Sequence, residues 1–289
     1  MKRYCLFLSL FVCSLGVSAQ HFEVGLTAGA TNYLGDLSKN SQGIVLKTTR
    51  AYGGLFARYN FNNLLALRLG GNFGQLTGSD EYASEEITRS RNLSFKTNII
   101  ELGLLAEINI PGFEPYNYQQ PISPYLFGGI AFFHYNPKTT YQGNTVALQP
   151  LGTEGQGAEG REAAYNLWQL SIPMGLGVKY ALTDQWTIGL ELGARLALTD
   201  YLDDVSGTYY TYPDLLEANG EVAAALGNRT GEFLGTEPVI VPTGTQRGDN
   251  NKRDWYFMLG LTVSYNFIDN GLVGGRRKIR RSKQGCKTD

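Results

Sequence analysis

Residues 185–199, QWTIGLELGARLALT, separate into two unlike faces when read at alternate positions. Trp186, Ile188, Leu190, Leu192, Ala194, Leu196 and Leu198 form one set. Gln185, Thr187, Gly189, Glu191, Gly193, Arg195 and Ala197 form the other, ending at Thr199. A period of two is that of an extended strand whose side chains point alternately to its two sides. In a soluble sheet the apolar set would face a core and the polar set water. In a transmembrane barrel the apolar set faces lipid and the charges point into the lumen. The rest of the chain decides between them.

The same alternation recurs and predicts eight strands, at 22–35, 50–61, 64–78, 93–110, 124–135, 165–182, 185–199 and 254–267. The intervening segments sort by parity. The second and sixth connections are the two-residue turns Asn62-Asn63 and Thr183-Asp184, and the fourth is a moderate, Pro-rich stretch at 111–123. The first, third, fifth and seventh are long, and the seventh, 200–253, is the longest. Short turns at one end and long loops at the other are the pattern of outer-membrane barrels, and an even strand number puts both termini at the turn end. A soluble sandwich has no reason to sort loops this way.

Facing supports the same reading. Leu170, Ile172, Met174, Leu176, Val178 and Tyr180 fall outward in one strand, and Trp255, Phe257, Leu259, Leu261, Val263, Tyr265 and Phe267 in another. The opposite face carries Glu23, Arg58, Arg68, Glu101, Glu107, Lys179, Glu191 and Arg195, four acids and four bases. A barrel of eight strands has an interior that side chains fill, so these charges are expected to pair across a packed lumen. Inward glycines (Gly25, Gly29, Gly70, Gly103, Gly175, Gly177, Gly189, Gly193) are expected to make room for them. The fold class is therefore all-β, an eight-stranded antiparallel transmembrane barrel of the outer-membrane type. Strand 124–135 is apolar on both faces and has no facing readable from pattern. Pro173, in mid-strand, is expected to mark a bulge.

The N-terminus gives the compartment. Lys2 and Arg3 precede an apolar run from Leu6 to Val12 and the small residues Val17-Ser18-Ala19, which is a secretory signal peptide cut after Ala19. Cys13 follows bulky residues, unlike a lipid attachment site, and Cys286 is the one thiol left after cleavage. The domain reading is 1–19 signal peptide, 20–267 barrel and 268–289 tail. Residues 20–267 hold 16 Lys and Arg against 24 Asp and Glu, a net of −8, whereas the tail holds seven against two, a net of +5. Its basic run, Arg276, Arg277, Lys278, Arg280, Arg281 and Lys283, is a candidate arm for an acidic partner.

Residues 171–207, SIPMGLGVKYALTDQWTIGLELGARLALTDYLDDVSG, resemble the PorG family of outer-membrane proteins of the Bacteroidetes type IX secretion system. The match lies in Ile172–Tyr180, Gly193-Ala194-Arg195, Thr199-Asp200 and Leu202-Asp203-Asp204. The segments 124–139 and 31–37 are also similar. The resemblance implies a small barrel that joins a periplasmic ring of PorK-like lipoproteins and PorN-like subunits and supports secretion of proteins bearing a type IX signal. It brings no catalytic motif with it.

The expected function is thus a non-enzymatic outer-membrane subunit anchoring or organising that ring, with both termini periplasmic. Its expected partners are outer-membrane lipids and lipopolysaccharide and the ring subunits, with no nucleic acid, cofactor or metal. The alternative is a stand-alone structural or adhesin-like barrel and, behind it, a lipid-modifying enzyme built on His134. Asp200, Asp203 and Asp204 are read as a solvated strand end rather than a cation site, and the Gly-rich loop 142–164 as mobile.

Overall fold

A computed structural model describes residues 21–38, 46–115 and 120–267. Eight long strands close on themselves: β1 (His21–Leu34), β2 (Arg50–Asn60), β3 (Leu65–Ser79), β4 (Ser94–Asn109), β5 (Ile122–His134), β8 (Trp168–Ala181), β9 (Trp186–Ala197) and β10 (Trp255–Asn266). Each pairs antiparallel with its sequence neighbour, and β1 pairs with β10 to shut the cylinder. A hairpin, β6 (Lys138–Tyr141) and β7 (Asn144–Ala147), extends the wall beside β4. The expected strands are all present, most to within one or two residues of their predicted ends. One end differs more: β8 starts at Trp168, and Tyr165 serves the loops instead.

The outer wall is apolar. Leu170, Ile172, Met174, Leu176, Val178 and Tyr180 are exposed, as are Leu259, Leu261 and Val263 of β10. Along β9 the outward set runs from Trp186 to Leu198. At ~3.3 Å per residue and a tilt near 40°, that is about 30 Å, the thickness of a hydrocarbon core. Aromatic rings gather at the turn end, where Trp186 meets Tyr265 at 5.1 Å and Phe22 meets Phe267 at 5.9 Å. Another pair, Phe132 stacked on Trp168 at 5.1 Å, lies towards the loop end. These are the two girdles of a membrane barrel.

One expectation needs correction and another needs extension. The register between β5 and β8 is the same on both sides of Pro173, from Gly128↔Met174 to Ala131↔Ser171, and Pro173 itself faces Arg195 in an unbroken β8–β9 ladder. No residue is inserted, so there is no bulge. The missing amide donor is absorbed by a two-residue lapse in pairing opposite Gly129 and Ile130. The inward glycines make room for rings as well as for charges: a Cβ on Gly193 would overlap the Arg195 guanidinium. A Cβ on Gly177 would lie 2.5 Å from Cζ of Tyr125, and one on Gly25 would overlap Phe56.

The undecided strand now has a facing: Tyr125, Phe127, Ala131, Phe133 and, just past its end, Tyr135 are buried, while Leu126, Ile130 and Phe132 face out. A lumen face made of aromatic rings has no polar signal, which is why alternation in hydropathy fails there.

Candidate functional site

Every one of the eight charges expected in the lumen is there and buried. Glu107 is the hub. Its carboxylate meets Arg58 Nε at 2.9 Å, Arg68 Nε at 3.1 Å and Lys179 Nζ at 2.7 Å. Arg58 also reaches Glu23 at 2.5 Å and Arg68 reaches Glu191 at 2.5 Å, so one chain of charge runs Glu23–Arg58–Glu107–Arg68–Glu191. Arg58 and Arg68 sit side by side on β2 and β3, and the shared acid offsets their repulsion. Arg195 lies 3.7 Å from Glu101 in a looser second group. Neutral donors complete the shells: Asn60 and Ser264 on Glu23, Tyr125 on Glu191, Asn72 and Tyr256 on Glu101. The guanidinium of Arg58 stacks on Phe56 at 4.8 Å and that of Arg68 on Phe127 at 5.2 Å.

The space left beside Arg68, Glu101, Glu191 and Arg195 is about 30 Å³, enough for a few water molecules at most. Below the charges, Phe113 from the connection after β4 is buried against Lys179, 5.4 Å from its Nζ. The lumen is a packed ionic core.

Above it the long loops fold into a cap. Tyr33, Leu76, Ile99, Phe133, Tyr256 and Met258 at the barrel mouth form one apolar cluster with Leu37, Leu93, Leu148, Leu202, Val205 and Leu226 from the loops. Four short helices enter this layer: α1 (Glu86–Ser90), α2 (Tyr212–Asn219), α3 (Glu221–Gly227) and α4 (Thr230–Leu234). Buried polar groups stitch the layer together. Arg247 binds Glu154 at 2.9 Å and the carbonyls of Asp204 and Gly227. Arg91 binds Asp80 at 2.7 Å and the carbonyls of Asp36 and Arg247. The amide of Asp249 donates to Asp36 at 2.9 Å. All four long loops are thereby tied to one another.

Asp203 and Asp204 are 1% exposed, which overturns the expectation of a solvated strand end. The Tyr33 hydroxyl lies 2.6 Å from Asp203 and 2.8 Å from Asp254. It has a single hydrogen, so one of the two carboxyls holds a proton. Burial raises both acids, each of which also sits near other carboxylates. Each of the pair also accepts a loop amide, Val205 on Asp203 and Leu202 on Asp254. Asp204 accepts from Thr153 and Tyr165, both at 2.6 Å, and burial lifts it to about 6. Asp200 is pushed up to about 7, by burial and by the nearby Asp36 and Glu154. Among the described residues, no cluster of His, Cys, Asp and Glu is arranged to hold a metal.

Loop 142–164 is not the free segment its glycines predicted. It holds the turn and second strand of the β6–β7 hairpin, and Thr153, Glu154 and Gln156 are buried under the cap. The glycines at 152, 155, 157 and 160 supply left-handed turns. Tyr165 stacks between Tyr135 and Tyr201. His134, the one candidate for an acyl-transfer base, faces the outer wall and packs on Trp168 at 4.7 Å. Arg247, Glu154 and Arg91 carry no signal in the sequence, because each stands in a loop without periodicity, and Asp254 opens a predicted strand whose alternation says nothing of its partners. The basic tail and the signal peptide fall outside the described residues.

Comparison with known proteins gives one family and a set of similar folds. A protein-family model described as a domain of unknown function (DUF6089) matches residues 2–219. No curated protein matches the chain. Among solved structures it is similar to the N-terminal β-barrel domain of Pseudomonas aeruginosa OprF, with 13% identity over 85% of this chain and 97% of that one and a TM-score of 0.35. It is likewise similar to Neisserial surface protein A (12% identity, 87% and 99% covered, TM-score 0.38). A major outer membrane protein from Thermus thermophilus is a third (15% identity, 86% and 100% covered, TM-score 0.40).

Proposed function

The chain belongs to the DUF6089 family, and we propose that it is an outer-membrane subunit of the type IX protein secretion system, a non-enzymatic anchor or organiser for a periplasmic ring of PorK-like and PorN-like proteins. The observation that carries the anchor reading is the sealed interior. Glu107, shared by three cations, and the ring-filled mouth above it leave no conduit through which a polypeptide or solute would pass. What such a barrel offers its surroundings is two faces, one at each membrane surface. The choice of secretion system comes from the resemblance at 171–207. In this structure that block supplies the paired strands β8 and β9, the lumen residues Lys179, Glu191 and Arg195, and the cap acids Asp203 and Asp204.

In this reading both termini are periplasmic, the signal peptide has been removed and the cap lies outside the cell. The basic tail, Arg276, Arg277, Lys278, Arg280, Arg281 and Lys283 among its residues, holds an acidic face of a ring subunit by charge-assisted contacts. Co-purification followed by mass spectrometry tests it. Ring subunits are expected to accompany the tagged full chain, and truncation after Phe267 is expected to release them while the barrel still inserts. Absence of ring subunits, together with normal secretion of type IX cargo after deletion, would refute the assignment and favour a stand-alone barrel.

A further inference from the structure

We propose that the rim at the loop end carries a binding groove for the phosphate groups of a phosphorylated membrane glycolipid, on the outer wall formed by β3, β4 and the β6–β7 hairpin. The inference rests on the membrane-barrel reading with this rim in the outer leaflet. A cleft of about 680 Å³ opens there, and four cationic side chains line it with no carboxylate among the lining residues: Lys47, Arg50, Lys96 and Lys138.

The strand register sets these groups out by depth. The outermost row places Thr77, Lys96 and Lys138 side by side on three strands. Lysines directly opposed across a ladder have Cβ atoms ~5 Å apart and repel. Among the described residues neither makes an ion pair that would offset this. Lys47 and Arg50 enter the cleft from the chain just before and at the start of β2. Lys47 Nζ stands 5.1 Å over the ring of Tyr82, and Arg50 donates to the carbonyls of Lys47 and Thr49, which aims its guanidinium. One row further into the membrane come Gln75 and Asn98, bonded at 2.9 Å. Beneath them lie Phe73, Ile100, His134 and Trp168 in register, with Phe73 58% and Ile100 54% exposed.

Cation, amide, aromatic and aliphatic rows therefore follow one another down the same wall. That is the order of groups in a phosphorylated glycolipid: anionic headgroup, sugar, acyl chain. A divalent phosphate among the four cations would relieve the Lys96–Lys138 repulsion and accept charge-assisted hydrogen bonds. Acyl chains would continue over Phe73 and Ile100 onto the hydrocarbon-facing belt. A free phosphate would satisfy the upper row and leave the apolar floor uncovered.

The test uses the full mature chain in detergent micelles, with native mass spectrometry to read retained lipid. Bis-phosphorylated lipid A is expected to be retained about tenfold better than the same lipid after phosphatase treatment, and the double substitution Lys96→Gln, Lys138→Gln should abolish that preference. The shift between unheated and heated gel bands should be the same for both proteins, which shows an intact barrel. Equal retention of the two lipids, or an unchanged preference in the double variant, would overturn the groove. Displacement of the lipid by inorganic phosphate alone would reassign the site to the free ion and likewise overturn it. A barrel that folds in micelles yet ignores lipid phosphate refutes only the groove. A chain that stays soluble without detergent refutes the membrane reading beneath it.

Discussion

The lumen sets every one of its buried carboxylates against a cation, whereas the cap does so for some, Glu154 with Arg247 and Asp80 with Arg91, and leaves others to a proton. In the lumen each of Glu23, Glu101, Glu107 and Glu191 stands against a guanidinium or ammonium. In the cap, Asp203 and Asp254 face a tyrosine hydroxyl and backbone amides, with no cation within ion-pair distance among the described residues, and a proton held between the two carboxyls takes the place of a counter-charge. The arrangements respond differently to change. A counter-charge fixes the network over a wide pH range but makes each member indispensable, because removing one leaves a partner charged in a low-dielectric space. A proton tolerates replacement by a neutral isostere and gives way to base.

The largest expected effect is therefore in the lumen. Glu107→Gln leaves Arg58, Arg68 and Lys179 sharing no carboxylate and should cost about 3–5 kcal/mol, the range for breaking a buried pair. The measurement is the temperature at which the folded gel band disappears, and an unchanged band would show that the hub is not what neutralises the three cations. A reversal at one end of the chain, Glu191→Arg, should be nearly as harmful. Because Arg68 is its partner at 2.5 Å, adding Arg68→Glu should recover part of the loss, and the absence of any recovery would mean the pairing is otherwise.

Asp254→Asn should be milder, within about 1–2 kcal/mol, since a group that shares its proton is close to an amide already. The same acids set the pH response. Asp204, held near 6, and Asp200, near 7, keep their protons in the folded cap to higher pH than an unfolded chain would, near 4. The sign follows: their contribution is full below about pH 4 and is lost as pH rises through 6 to 7. Amide exchange in 198–254, corrected for its intrinsic pH dependence, should report easier opening of the cap at pH 8 than at pH 5. The strands should show little change over that interval. Equal protection of the cap at both pH values would break the contrast between the two regions.

The smallest effect on stability is expected from cutting the chain after Phe267. The band should melt as in the full protein, because Phe267 already closes against Phe22 through its amide at 2.9 Å.

The difference between the regions also explains what the sequence reveals. Strand alternation is a local signal of period two, so residues a few positions apart define each wall, and Glu191, Arg195 and Lys179 can be placed inside before any coordinate is known. Which acid meets which base depends on strand stagger around a closed cylinder, which alternation does not encode. Arg68 and Glu191 are 123 positions apart. The cap is less legible still. Its contacts join Tyr33 to Asp254 across 221 positions, between the ends of two strands whose period says nothing of their partners, and Asp36 to Asp249 across 213, between segments that carry no period at all. There a run such as Asp203-Asp204 reads as a polar strand end until the loops are seen to close over it. The β5 face was hidden for the opposite reason, since rings inside and rings outside look alike.

Planar-bilayer recording tests the sealed, self-neutralised interior most directly. With the purified chain inserted from the turn end or the loop end, membranes are expected to stay at baseline conductance, since the charges fill the lumen and the loops cover its mouth. Stable, stepwise currents from the unmodified protein would contradict that seal.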